Sequence, residues 1–122
     1  MDKAPTAELL DFILESLRLI KRRFSGIASS DDFLDSDEGL DKLDAISMRL
    51  QSIGEALKNL DKCQQELLLM VANKEYWNKI IRTREILTHH YIDIDAETIY
   101  MICDEKLEEL EQKILKLREY LK

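Results

Sequence analysis

Apolar residues recur along this chain at intervals of three and four, the spacing of helices that bury one face. Leu10, Ile13, Leu17, Ile20 and Phe24 draw the first such stripe, on a helix expected from about Thr6 to Phe24 with Pro5 beside its cap. Leu43, Ile46, Leu50, Ile53, Leu57 and Leu60 draw the second and cleanest one. Ser36 or Asp35 can cap that helix, and Asp37 and Glu38 suit its first turn, where the helix dipole favours anions. Ser47 and Gly54 lie seven apart on a neighbouring row. Residues this small let another helix come close, which offsets a glycine cost of about 1 kcal/mol inside a helix. Between the two helices, residues 25–36 read as the longest break, with Phe33 and Leu34 folding back onto the core.

A third, shorter helix is expected from about Lys62 to Ala72. Its LLLMVA run has no polar face, so it is either buried all round or part of a subunit interface. A fourth runs from Trp77 to Tyr91, with Trp77, Ile80, Ile81, Leu87 and Tyr91 gathered in one sector. The YIDID segment that follows is extended or turn-like, and Asp95 can cap a last helix. Ile99, Ile102 or Cys103, Lys106 or Leu107, Leu110, Ile114, Leu117 and Leu121 carry that helix's stripe towards the C-terminus. These elements predict an all-α antiparallel bundle of four to five helices.

A length of 122 residues argues for one domain with a single core, and one proline with three glycines suits a helix-rich protein. The longest apolar run, Leu67 to Ala72, is far too short to cross a bilayer. The N-terminus shows no basic segment leading into an apolar one, so no signal peptide is expected. Cys63 and Cys103 lack CxxC spacing and read as buried free thiols in a reducing cytoplasm. The formal charge of −7 argues against indiscriminate binding to nucleic acid or acidic membranes. Its distribution adds more: residues 31–44 hold seven acids and one lysine, whereas residues 73–91 carry a net +2. An anionic ligand is tolerated around the second stretch and repelled by the first. Lys21, Arg22 and Arg23 close the first helix, where cations complement the dipole.

Arg84 is the residue out of pattern, falling in the middle of the fourth helix's apolar sector. A guanidinium keeps its proton, so there it must be paired or face a wet cleft or a bound anion. His89 follows five residues later, about 140° round an ideal helix. The two converge only if the helix ends or distorts near Thr88, or if a second chain completes the pocket. No glycine-rich phosphate loop or GxSxG elbow is present. The adjacent His89 and His90 point about 100° apart on a helix. Asp93 and Asp95 are candidate companions for a metal, yet no HExxH or paired-cysteine spacing supports one, and neither metal nor cofactor is expected. Arginine, histidine and tyrosine suit phosphoryl chemistry on RNA. An imidazole moves the proton of a ribose 2′-hydroxyl or of the leaving oxygen, and a guanidinium holds the non-bridging oxygens. The plainer alternative has Arg84 paired with a core-edge carboxylate such as Glu55 and His89 merely ending a helix.

RTREILTHHY, with Arg84, His89 and Tyr91 in register, resembles the RX4HXY motif of HEPN ribonucleases and, more narrowly, the HepT-like toxins. Ile53-Gly54-Glu55-Ala56 is similar to that family's IGEA signature, and Asp31 to Asp35 to its acidic-aromatic segment; Trp77 and the Tyr91-to-Asp95 stretch also match. The resemblance covers roughly residues 8–115 and reads residues 1–122 as one HepT-like domain. It implies a cytoplasmic homodimer whose motif helices meet across a shared cleft, with no membrane partner. There Arg84 and His89 would cleave RNA without a metal, leaving a cyclic phosphate. It also implies a cognate minimal nucleotidyltransferase antitoxin that transfers AMP to Tyr91. Glu85 stands where the family commonly has Asn or Asp, and Tyr76 where it often has proline. A rival reading is a non-catalytic helical module that serves as the partner of a nucleotidyltransferase; another is a purely structural adaptor.

Overall fold

The computed structural model describes residues 4–89 and 96–122. Tyr91, the YIDID segment and the Asp95 cap lie outside the described residues, as do the side chains of Thr88 and His89. The described chain folds into seven helices: α1 (Ala4–Phe24), α2 (Asp31–Leu34), α3 (Asp37–Cys63), α4 (Gln65–Leu69), α5 (Lys74–His89), α6 (Ala96–Glu105) and α7 (Leu107–Glu119). It is an all-α bundle, as the spacing of apolar residues predicts. At 27 residues α3 is about 40 Å long and forms the central rod. It packs most extensively against α5 and α1, while α1 also lies along α7.

The stripes explain this arrangement. Leu43, Ile46, Leu50, Ile53, Leu57 and Leu60 are all buried on α3, opposite Leu10, Ile13, Leu17 and Ile20 of α1. Ser36 caps α3 as expected, its hydroxyl accepting from the Gly39 amide at 3.0 Å. Lys21 at the end of α1 donates to Glu108 and Glu111 near the start of α7, while Asp11 near the start of α1 meets Arg118 near the end of α7. The two helices are therefore antiparallel. Lys21 thus stands in the last turn of α1, as expected, and also clamps that helix to α7.

Several expectations are corrected. α1 is already helical at Ala4, the first described residue, so Pro5 lies within the helix rather than beside its cap. The 25–36 break contains the short α2. It inserts Phe33 fully into the core but turns Leu34 outward, 56% exposed, because adjacent helical residues point about 100° apart. α3 extends to Cys63, where Gln64 leaves helical geometry at φ −137° and ψ 40°. That break reorients the LLLMVA run: Leu68 is fully buried, while Leu69 and Met70 are exposed on this chain. Cys63, at the exposed end of α3, is not a buried thiol; Cys103 is, and burial pushes its pKa up to about 12. The last helix divides at Lys106, although the Lys106 N–H to Ile102 C=O bond (2.9 Å) and the Leu110 N–H to Lys106 C=O bond (3.2 Å) bridge the junction. The stripe survives the division, with Ile99, Cys103, Leu107, Leu110, Ile114 and Leu117 buried.

Two contacts place α5. At its start, the buried indole N–H of Trp77 donates to the carbonyls of Leu68 (2.8 Å) and Ala72 (3.2 Å), tying α5 to α4 and the turn after it. At its middle, α5 crosses α3 at Gly54: a Cβ built there would overlap Arg84 Cβ and crowd Arg84 Cγ at 3.3 Å. The small-residue row on α3 admits a close neighbour as its composition predicts, and that neighbour is Arg84.

Both contacts can be tested by stability. Gly54→Ala would ordinarily gain about 1 kcal/mol of helix propensity. Here the enforced overlap should reverse the sign, giving a net destabilisation of about 1–3 kcal/mol in urea titrations. Trp77→Phe should lose about 1–3 kcal/mol by leaving two carbonyls without their shared donor.

Candidate functional site

Arg84 begins as a contradiction, a permanent cation in the apolar sector of α5, and the structure resolves it through its neighbours. The absence of a side chain at Gly54 lets the aliphatic stem of Arg84 lie directly on the α3 backbone. Its head then reaches the next residue of α3: Arg84 Nε lies 2.6 Å from Glu55 Oε2. Nε is sealed from water and its N–H is not aimed along a hydrogen bond, so the contact is a close charge pairing. The Arg84 side chain is only 19% exposed and that of Glu55 54%, which puts the pair at the core's edge rather than within it. Such a half-wet pair contributes little stability, on the order of 1 kcal/mol or less. What it does is fix where the guanidinium sits. The plainer expectation, Arg84 paired with Glu55, is thus met, and the pair lines a groove besides.

That open groove, of about 380 Å³, is lined by Met48, Gln51, Ser52 and Glu55 from α3 and by Arg84 from α5. The four α3 residues lie at spacings of three and four, one row of the helix beside the buried stripe. Ser52 donates its hydroxyl to the Met48 carbonyl at 3.1 Å, and Met48 is 69% exposed over the groove. Met48, Gln51 and Ser52 were not legible as site residues. The signal that points to them is their register with Glu55, one and two turns back on the same row, and it acquires meaning only once Glu55 is tied to Arg84.

The other expected site residues are placed less fully. α5 is helical from Lys74 to His89, along which positions 84 and 89 are about 140° apart on an ideal helix, and the His89 side chain lies outside the described residues. Tyr91 lies outside the described residues. Glu85 is exposed on the helix next to Arg84, while Glu55 is the acid that meets the guanidinium. Arg82 and Lys79 are also exposed on α5; Lys79 lies 3.6 Å from Glu75. Among the described residues no helix is long and apolar enough to cross a membrane.

The groove thus brings one anchored cation, one half-exposed carboxylate and the side chains of Gln51 and Ser52 to one wall. Residues 13–117 match the family model described as "Ribonuclease HepT-like". Over 112 residues the chain is 31% identical to a protein of Methanocaldococcus jannaschii named "Gamma-glutamylcyclotransferase and putative RNase". The match takes in 92% of this chain but 47% of that protein, so the chain spans about half the length of the curated relative. No solved structure matches the chain. With the family model covering most of its length, the chain belongs to the HepT-like ribonuclease family.

Proposed function

We propose that this protein is the ribonuclease toxin of a toxin–antitoxin pair, cutting RNA without a metal at a site shared by two copies of the chain. The observation that carries the proposal is the anchored Arg84, a guanidinium fixed by Gly54 and Glu55 at the wall of an open groove, within a chain of a ribonuclease family. In this reading Arg84 holds the non-bridging oxygens of the scissile phosphate and stabilises the charge that builds on them. The ribose 2′-oxygen attacks phosphorus, its proton passing to a base. The O2′–P bond forms as the P–O5′ bond breaks, and the departing 5′-oxygen receives a proton. His89 performs the proton transfer, since an imidazole titrates near neutrality. The products are a 2′,3′-cyclic phosphate and a 5′-hydroxyl.

On an ideal helix positions 84 and 89 lie about 140° apart, and in this reading a second copy of the chain completes each phosphate site. Met48 beside the groove and Ile86, one turn before His89, leave exposed apolar surface for such a copy to cover. Inhibition follows from AMP transfer to Tyr91 by a cognate nucleotidyltransferase. The added phosphate would place negative charge where the RNA backbone belongs. A second reading is favoured by one observation: Arg84 already faces Glu55, which suits a non-catalytic module that offers its groove or Tyr91 to a nucleotidyltransferase.

The purified protein should cleave single-stranded RNA in the presence of a chelator, leaving cyclic phosphate ends, and should run as a dimer in light scattering at micromolar concentration. Arg84→Ala and His89→Ala should each lower the rate on the order of a hundredfold or more, with the helical circular dichroism unchanged. RNA left as intact by the wild type as by the double variant would defeat the nuclease reading in favour of the binding module. After co-expression with the nucleotidyltransferase, intact-mass spectrometry should show added adenylate on the wild type and none on Tyr91→Phe.

A further inference from the structure

We infer that Glu55 is a positioning residue for Arg84. It holds the Nε edge of the guanidinium against α3 so that the terminal nitrogens face the groove and meet a phosphate there. The inference rests on the ribonuclease reading for its kinetic consequence, but not for its structural one.

A guanidinium has five N–H donors, one on Nε and four on the terminal nitrogens. Here Nε is sealed from water, with Glu55 Oε2 at 2.6 Å. The 19% of the side chain that remains exposed therefore belongs to other atoms of Arg84. Since Arg84 also lines the groove, its terminal nitrogens are the donors left to meet a ligand. The carboxylate is well placed for this task. Gly54 brings the Arg84 stem onto the α3 backbone, and Glu55 is the next residue, so stem and head are held by consecutive positions of one helix. Two fixed points remove most of the rotational freedom of a long side chain. A guanidinium fixed before the ligand arrives loses less entropy when it binds one. Glu55 itself is 54% exposed and not buried in the core, so its removal is expected to change stability little.

A competing counter-ion would behave in the opposite way, since a carboxylate occupying the phosphate's place must be expelled before RNA binds. The two roles separate by experiment. Glu55→Ala, Glu55→Gln and Glu55→Asp would be compared with the wild-type protein by steady-state cleavage of a short RNA and by thermal unfolding. Arg84 would be followed in each through its side-chain Nε–H resonance, with inorganic phosphate as titrant. The expected result is that Glu55→Ala lowers kcat on the order of tenfold to a hundredfold, the usual cost of a misplaced catalytic group, with KM little changed and the melting temperature within a few degrees. Glu55→Asp, which keeps the carboxylate charge, should recover part of kcat, and Glu55→Gln, which lacks it, should recover less. The Arg84 Nε–H should exchange slowly with water in the wild type and rapidly in Glu55→Ala. A kcat at or above the wild-type value in Glu55→Ala would overturn the inference and make Glu55 a competitor; a rise in KM alone would make it a substrate contact. If the wild type itself cuts no RNA, the nuclease reading fails while the exchange measurement still decides: unchanged Nε–H exchange in Glu55→Ala overturns the positioning role, and accelerated exchange upholds it.

Discussion

The close crossing of α3 and α5 at Gly54 is the constraint on which the rest depends. Helices pack at 8–10 Å when ordinary side chains separate them, and a glycine lets one backbone approach nearer. Here the approach is used to seat a cation: the Arg84 stem fills the space a Cβ would take, and the head emerges beside Glu55 at the groove. Without that approach, a permanent charge in the apolar sector of α5 would lose water without gaining a partner. Core and site are therefore built by the same two residues.

Burial and chemistry remain segregated along α3. One row, Leu43 to Leu60, is sealed against α1 and α5, while the adjoining row, Met48, Gln51, Ser52 and Glu55, stays open to solvent. The rod builds the core with one face and the wall of the groove with the other. α5 is held at its start by the Trp77 indole and at its middle by Arg84, which leaves its C-terminal end as the part that reaches furthest from these anchors.

Much of this was legible from residue order. The α1, α3 and α7 stripes fell where three- and four-residue spacing put them, because a helix buries one sector whatever its neighbours are. The Ser47–Gly54 row announced a close neighbour, and an apolar-sector arginine called for a carboxylate such as Glu55, a wet cleft or an anion, since each violates a local preference that its surroundings must justify. Less legible were features settled by a third element. Lys21 at the end of α1 became a clamp as well because α7 brings Glu108 and Glu111 to it. Leu34 lost its place in the core because α2 is helical and turns it about 100° away from Phe33. A separate helix after α3 was expected from about Lys62, but which side of the LLLMVA run is covered was not, since a run without a polar face does not say that Leu68 is buried and Leu69 and Met70 are exposed. The groove residues stayed invisible for a related reason: a methionine, a glutamine and a serine on a helix surface are ordinary until a cation from another helix comes to rest among them.

The Trp77 bonds carry a practical consequence. It is the sole tryptophan of the chain, shielded from water, with its indole nitrogen engaged by two carbonyls at the junction of α4 and α5. All intrinsic tryptophan emission therefore arises from a single environment at the root of the helix that bears Arg84. The molecule thus contains its own optical gauge for whether that root stays seated when other parts of the protein are loaded, modified or loosened.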